Sequence, residues 1–216
     1  MHRTQFFSGR TLSAIGMLLA LPFAAPALAH HAMGGQLPAN GFQGFLSGLA
    51  HPVIGLDHLA GVIAVGLLAA TQQRGFWLPV AFLAAALAGT GIHSLGWNLP
   101  ALEIAVSGSV LLVGMLLAME TRPKLGVLIG LGAVMGLFHG YAYGESIVGA
   151  EPAPLFAYLL GFTLVQLLIA LLAWRIGRTV LQRSSAALGL RFAGFTICGV
   201  GAAFLSSVVL DSLLPV

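Results

Sequence analysis

The chain has 216 residues, 58% of them hydrophobic and 7% charged, with a mean hydropathy of +0.99. Soluble domains carry roughly 25% charged residues, so a soluble globular fold is excluded and an all-α integral membrane protein is expected. The net charge of +3 raises nucleic acid as a partner, but the placement of the basic residues, given below, argues for a lipid bilayer instead.

Residues 1–29 have the layout of a cleavable signal peptide. Arg3 and Arg10 form a positive start, Leu12 to Ala25 an apolar stretch, and Ala27-Leu28-Ala29 a small-residue cleavage site. Pro22 and Pro26 interrupt a segment already short for a bilayer, which argues against an uncleaved span. Cleavage after Ala29 leaves His30 and His31 at the start of the mature chain, where an α-amine beside an imidazole chelates metal.

Six apolar segments follow, at about 43–70, 76–96, 100–119, 125–147, 153–174 and 192–213, each near the ~20 residues that cross a bilayer. They make residues 30–216 a six-span domain. The first span contains His51-Pro52-Val53-Ile54-Gly55-Leu56-Asp57-His58. Pro52 and Gly55 predict a short entry helix, a non-helical turn, and a second helix from Asp57. Irregular backbone at membrane depth is tolerated where it lines a cavity. Two imidazoles and a carboxylate with apolar flanks are costly in hydrocarbon and mark a functional site. Their chemistry suits a borderline divalent metal ion or a proton relay.

Outside the signal segment the basic residues are Arg74, Arg122, Lys124, Arg175, Arg178, Arg183 and Arg191. All lie in the loops after the first, third and fifth spans. The positive-inside rule puts those loops in the cytoplasm and the mature N-terminus in the periplasm of a bacterial inner membrane. The charge is a topology signal, and no nucleic acid partner is implied. At 1.5 Å per helical residue, Asp57 and His139 lie about 21–22 Å above the inner face, and His93 and Glu103 near 27 Å. Asp57, His58, His93, Glu103 and His139 therefore share the outer half of the bilayer. Glu120 lies at the inner edge, where Arg122 is its expected ion-pair partner.

The fourth span carries Phe138-His139-Gly140-Tyr141-Ala142-Tyr143-Gly144-Glu145. His139 and Tyr143 share a helical face with Met135 one turn below. Gly132, Gly136, Gly140 and Gly144 form a small-residue stripe for close helix packing. Glu145 lies near the outer surface, and Gln166 is a polar group in mid-span. The last span has no ionisable group before Asp211 and reads as scaffold, and the lone Cys198 as a small hydrophobe.

The segment His51-Pro52-x-x-Gly55-x-Asp57-His58, continuing to Ala64-Val65-Gly66, resembles the signature of the HupE/UreJ family of nickel and cobalt permeases. Phe138-His139-Gly140-x-Ala142 is similar to that family's second histidine motif, and Leu99-Pro100-x-x-Glu103-Ile104 to its third-span entry. The resemblance covers essentially the whole chain. It implies a non-enzymatic permease without a prosthetic group, taking Ni(II) or Co(II) from the periplasm for hydrogenase, urease or cobalamin assembly. It implies His51, Asp57, His58, Phe82, Glu103 and His139 as transport residues. Tyr143 stands where the family's second motif has another histidine, and Glu145 comes one residue early.

The expected metal-contacting set is thus His51, Asp57, His58, His139, Glu103, His30, His31, His93 and Glu145, supported by Phe82, Tyr143 and Met135. Two rivals use the same residues: a membrane metalloenzyme, for which no His-Glu-x-x-His helix or nucleophile motif is present, and a proton-relay channel for a small neutral molecule.

Overall fold

The computed structural model describes residues 36–182 and 186–214. The signal-peptide reading, His30, His31 and Arg183 fall outside the described residues. Within them the chain forms seven α-helices and no strand: α1 Gly41–Ile54, α2 Leu56–Ala70, α3 Trp77–Ser94, α4 Leu102–Ala118, α5 Leu125–Gly144, α6 Pro152–Val180 and α7 Ala186–Leu213.

Helix α1 starts at Asn40, whose side chain accepts from the Gln43 amide while Gln43 Oε1 accepts from the Ala39 amide, a reciprocal N-terminal cap. Helix α6 starts on Pro152, whose missing N–H is no loss at a first helical position.

The first apolar segment is broken, with α1 and α2 meeting at 79°. The break is narrower than the turn expected from Pro52 through Gly55, because Pro52 lies inside α1 and Gly55 alone leaves the helical region (φ −71°, ψ 101°). The Gly55 amide still donates to the His51 carbonyl and the Leu59 amide to the Gly55 carbonyl, so one residue absorbs the bend. A side chain there would collide with the His58 ring, since a Cβ would lie 2.7 Å from His58 Cδ2. Gly55 is what lets His58 fold back over the break.

Four helices are long and apolar enough to cross a membrane, or five with the bent pair counted as one span; α4, also apolar, has 17 residues. In lipid such helices gain little from the hydrophobic effect and associate by close packing of small residues. Along α5, Gly132, Gly136, Gly140 and Gly144 face Leu78, Phe82, Ala86 and His93 of α3 in ascending order, so these helices run parallel. Gly44 and Gly48 of α1 rest on Pro154 and Tyr158 of α6, and Gly66 of α2 on Ala170, so the broken segment also runs parallel to α6. Helices α4 and α7 run antiparallel, with Gly114 against Cys198 and Gly194 against Ala118. These directions are those of an alternating multi-pass chain. Much of the outer surface of α6, including Leu164, Leu168, Leu172 and Ile176, is exposed and apolar, as a lipid-facing helix requires.

Glu120 pairs with Arg191 at 2.9 Å, not with Arg122 as expected. Arg122 turns back so that Nη2 donates to the Leu117 carbonyl at 2.9 Å, satisfying one of the last carbonyls of α4.

Candidate functional site

The ends of α2, α4, α5 and α7 that lie away from Arg74, Arg122, Lys124 and Arg191 surround a cavity of about 200 Å³. Its wall carries Asp57 and His58 from the start of α2, Glu103 and Ser107 from the start of α4, Glu145 beyond α5, and Ser207 and Asp211 from α7. Four of the chain's six carboxylates thus meet at one opening whose wall contains no lysine or arginine. Asp57 is 6% exposed and His58 1%, whereas Glu103, Glu145 and Asp211 are exposed. The opening is an acidic mouth over a buried carboxylate and imidazole.

The break in the first span builds this floor. Asp57 and His58 fall in the first turn of α2, where amides lack helical acceptors. Asp57 Oδ1 accepts from the His58 amide at 2.8 Å and closes that gap. The His58 ring lies against Tyr143, centroids 4.5 Å apart, and reaches α5, where its Nδ1 is 3.1 Å from His139 Nδ1. His139 is fully buried, and its Nε2 is 3.0 Å from Ser109 Oγ on α4. Phe82 stands edge-on to the His139 ring at 5.8 Å. A Cβ on Gly61 would lie 2.7 Å from Met135 Cε and 3.0 Å from His139 Cε1, so the missing side chain makes room for both.

His51 occupies the last turn of α1 and is 2% exposed. Its Nδ1 sits 2.8 Å from Ser146 Oγ and 3.0 Å from Tyr158 OH. Both hydroxyls also donate to the Tyr143 carbonyl, at 3.1 and 3.0 Å, capping an otherwise orphaned carbonyl at the end of α5. Tyr143 itself fills the space among the imidazoles, edge-on to His51 at 5.2 Å, and its hydroxyl donates to Gln166 Oε1 at 3.2 Å. Gln166 thereby bridges α6 to α5, and its Nε2 donates to the Phe162 carbonyl.

The structure therefore brings His51, Asp57, His58, His139, Tyr143, Phe82 and Met135 into one neighbourhood, with Glu103 and Glu145 at its mouth. It does not bring His93 there. That ring lies tilted against Tyr141, centroids 4.3 Å apart, and its Cβ abuts Gly144 on the α3–α5 seam, off the cavity wall. Among the described residues no three His, Cys, Asp or Glu side chains converge as a preformed metal shell. The reason is local: His58 and His139 face each other, and one Asp57 oxygen is turned onto backbone. The last helix, read as scaffold, supplies Asp211, Ser207, Phe204 and Val208 to the wall. Ser109, Ser146 and Tyr158 were also missed. Hydroxyls on apolar helices commonly bond their own backbone, so nothing in their spacing marks them.

A family model described as HupE / UreJ protein matches residues 18–204. Protein HupE of Rhizobium leguminosarum bv. viciae is 32% identical over 188 residues, covering 84% of this chain and 92% of the relative. No solved structure matches the chain.

Proposed function

This chain belongs to the HupE/UreJ family, whose members are accessory or transport proteins and not catalysts, and from that premise we propose that it is a multi-pass permease carrying a divalent transition metal from periplasm to cytoplasm. Nickel is the first cargo and cobalt the second, destined for metalloenzyme or cobalamin assembly. The observation that carries this reading is the acidic, lysine- and arginine-free mouth opening onto Asp57 and His58. A cavity so lined focuses cations and offers nitrogen and oxygen donors suited to a borderline ion.

Six spans follow if α1 and α2 count as one and α4 as another, after a signal peptide removed at Ala29. With the basic loops in the cytoplasm, the mouth opens to the periplasm. His30 and His31 collect hydrated metal, Glu103, Glu145 and Asp211 draw it in, and it sheds water onto Asp57 and His58 before passing to His51. Donors of this kind hold the ion firmly enough to dehydrate it and loosely enough to release it. A thiolate cage would not. Tyr143, Phe82 and Met135 shape the walls around the imidazoles, and His93 serves the α3–α5 seam.

The test is saturable uptake of radiolabelled nickel and cobalt by proteoliposomes containing the purified protein. The reading expects uptake by the wild type and its loss in His51→Ala and Asp57→Asn. Undiminished uptake in both variants would overturn the assignment of the site, no saturable uptake by the wild type would overturn the permease reading, and metal-independent flux of a small neutral solute would favour the proton-relay channel.

A further inference from the structure

The 3.1 Å between His58 Nδ1 and His139 Nδ1 has two chemical readings. Two nitrogens bound at ~2.1 Å to one ion at a right angle also lie about 3 Å apart. Distance alone therefore does not say whether both rings ligate. The hydrogens do.

Ser109 has one hydroxyl hydrogen, and the shorter of its two contacts, 2.7 Å to the Val106 carbonyl against 3.0 Å to His139 Nε2, assigns it to that carbonyl. The 3.0 Å contact between Ser109 Oγ and His139 Nε2 is then a bond in which the imidazole donates. A neutral His139 with its hydrogen on Nε2 has only a lone pair at Nδ1. The contact with His58 is therefore made by the hydrogen on His58 Nδ1, and the lone pair of His58 resides on Nε2. Ligating histidines characteristically donate their other ring N–H to an acceptor that fixes tautomer and orientation, and losing such a partner costs roughly 10–100-fold in metal affinity or activity.

We propose that His139 is a positioning residue, not a ligand: the chain Val106 carbonyl–Ser109–His139–His58 holds His58 as its Nδ1–H tautomer and presents Nε2 as the metal-binding atom. Placement supports the division of roles. His58 lines the cavity; His139, fully buried behind it, does not. The inference rests on the permease reading but assigns the two histidines different work, and so they respond differently to one substitution. Glutamine is the discriminating replacement. Its amide oxygen accepts from an N–H and its amide nitrogen donates to a hydroxyl, so Gln at position 139 reproduces both bonds of the imidazole. As a metal ligand, a neutral amide is a poor stand-in for imidazole.

The experiment compares nickel uptake by wild type, His58→Gln and His139→Gln in proteoliposomes. Only variants that remain monodisperse in detergent enter the comparison, with Ser109→Ala and Ser109→Thr as companions that leave both rings in place. His139→Gln is expected to exceed His58→Gln by more than about tenfold in uptake rate, and Ser109→Thr to exceed Ser109→Ala. Nitrogen-15 NMR of histidine-labelled, metal-free wild type reads the tautomers directly and is expected to show His58 protonated at Nδ1 and His139 at Nε2. Equal loss in the two glutamine variants, or the opposite tautomers, overturns the positioning role and leaves the permease reading standing. Wild-type uptake by His58→Gln overturns the ligand role of His58, whatever the tautomers, whereas no nickel uptake by the wild type overturns the permease reading itself.

Discussion

Replacing Gly140 with alanine tests whether the packing of α3 on α5 sets the geometry of the site. A Cβ at Gly140 would lie 1.9 Å from the Ala86 carbonyl oxygen and 2.4 Å from its carbonyl carbon and Cα. Carbon and carbonyl oxygen meet no closer than ~3.3 Å, so the helices must part by about 1.4 Å, and with backbone on both sides no side chain can yield instead. Overpacking of this kind costs about 1–3 kcal/mol. The Thr90 hydroxyl bond to the Gly140 carbonyl, now 2.7 Å, is strained by the same movement. His139 is the preceding residue, so the displacement reaches its contacts with His58 and Ser109. Misplacement by about 1 Å can cost around 10²-fold where reacting groups must be aligned, and a fall in nickel uptake approaching that size is expected. The assay pairs thermal unfolding in detergent, followed by size-exclusion chromatography, with proteoliposome uptake. Gly130→Ala on the same helix is the control, because a Cβ there meets nothing within 4 Å and should gain roughly 0.5–1 kcal/mol from reduced chain entropy. If Gly140→Ala unfolds and transports like Gly130→Ala, the packing argument is wrong.

Asp211→Asn removes a mouth carboxylate without touching the buried groups, and is expected to raise the KM for nickel about three- to tenfold with little change in maximal rate. Uptake measured across nickel concentrations at low salt checks this, and an unchanged KM would return α7 to the role of scaffold. Tyr158→Phe with Ser146→Ala strips both hydroxyls from His51 Nδ1 while keeping the ring of residue 158. Calorimetric titration is expected to show nickel binding weakened roughly 10–100-fold, with wild-type affinity the contrary result. Glu120→Gln breaks the Arg191 ion pair, whose side chains are 40% and 79% exposed, and a melting temperature shift of more than a few degrees would contradict the ~0–1 kcal/mol expected of such a pair.

The core of the candidate site was legible as a spatial grouping because charge is expensive in hydrocarbon. The spacing His51–Asp57–His58 on apolar flanks has no bland explanation, and counting helical rise put His139 at the same depth. The glycine stripe of α5 announced a close helix contact, though not that α3 would be the partner. Other features were hidden for physical reasons. Pro52 looked like the breaker, yet α1 runs through it to Ile54 at the loss of its one backbone N–H donor, and the bend fell to Gly55, where the His58 ring needs the space. His93 matched Glu103 in depth but points around the helix to Tyr141, and depth carries no azimuth. Ser109, Ser146 and Tyr158 have polar groups cheap enough to sit anywhere on an apolar helix, so only coordinates reveal what they hold. Asp211 came at the end of an otherwise apolar span, and its place opposite Asp57 depends on how α7 lies across α4.

If the permease reading holds, imidazole from the α1–α2 break meets a metal ion in a buried, acid-mouthed cavity. X-ray absorption at the nickel edge of the metal-loaded protein measures that contact directly. It should show imidazole nitrogen scattering near ~2.1 Å that is lost or diminished in His58→Ala. A shell of oxygen donors alone, unchanged by the substitution, would contradict it.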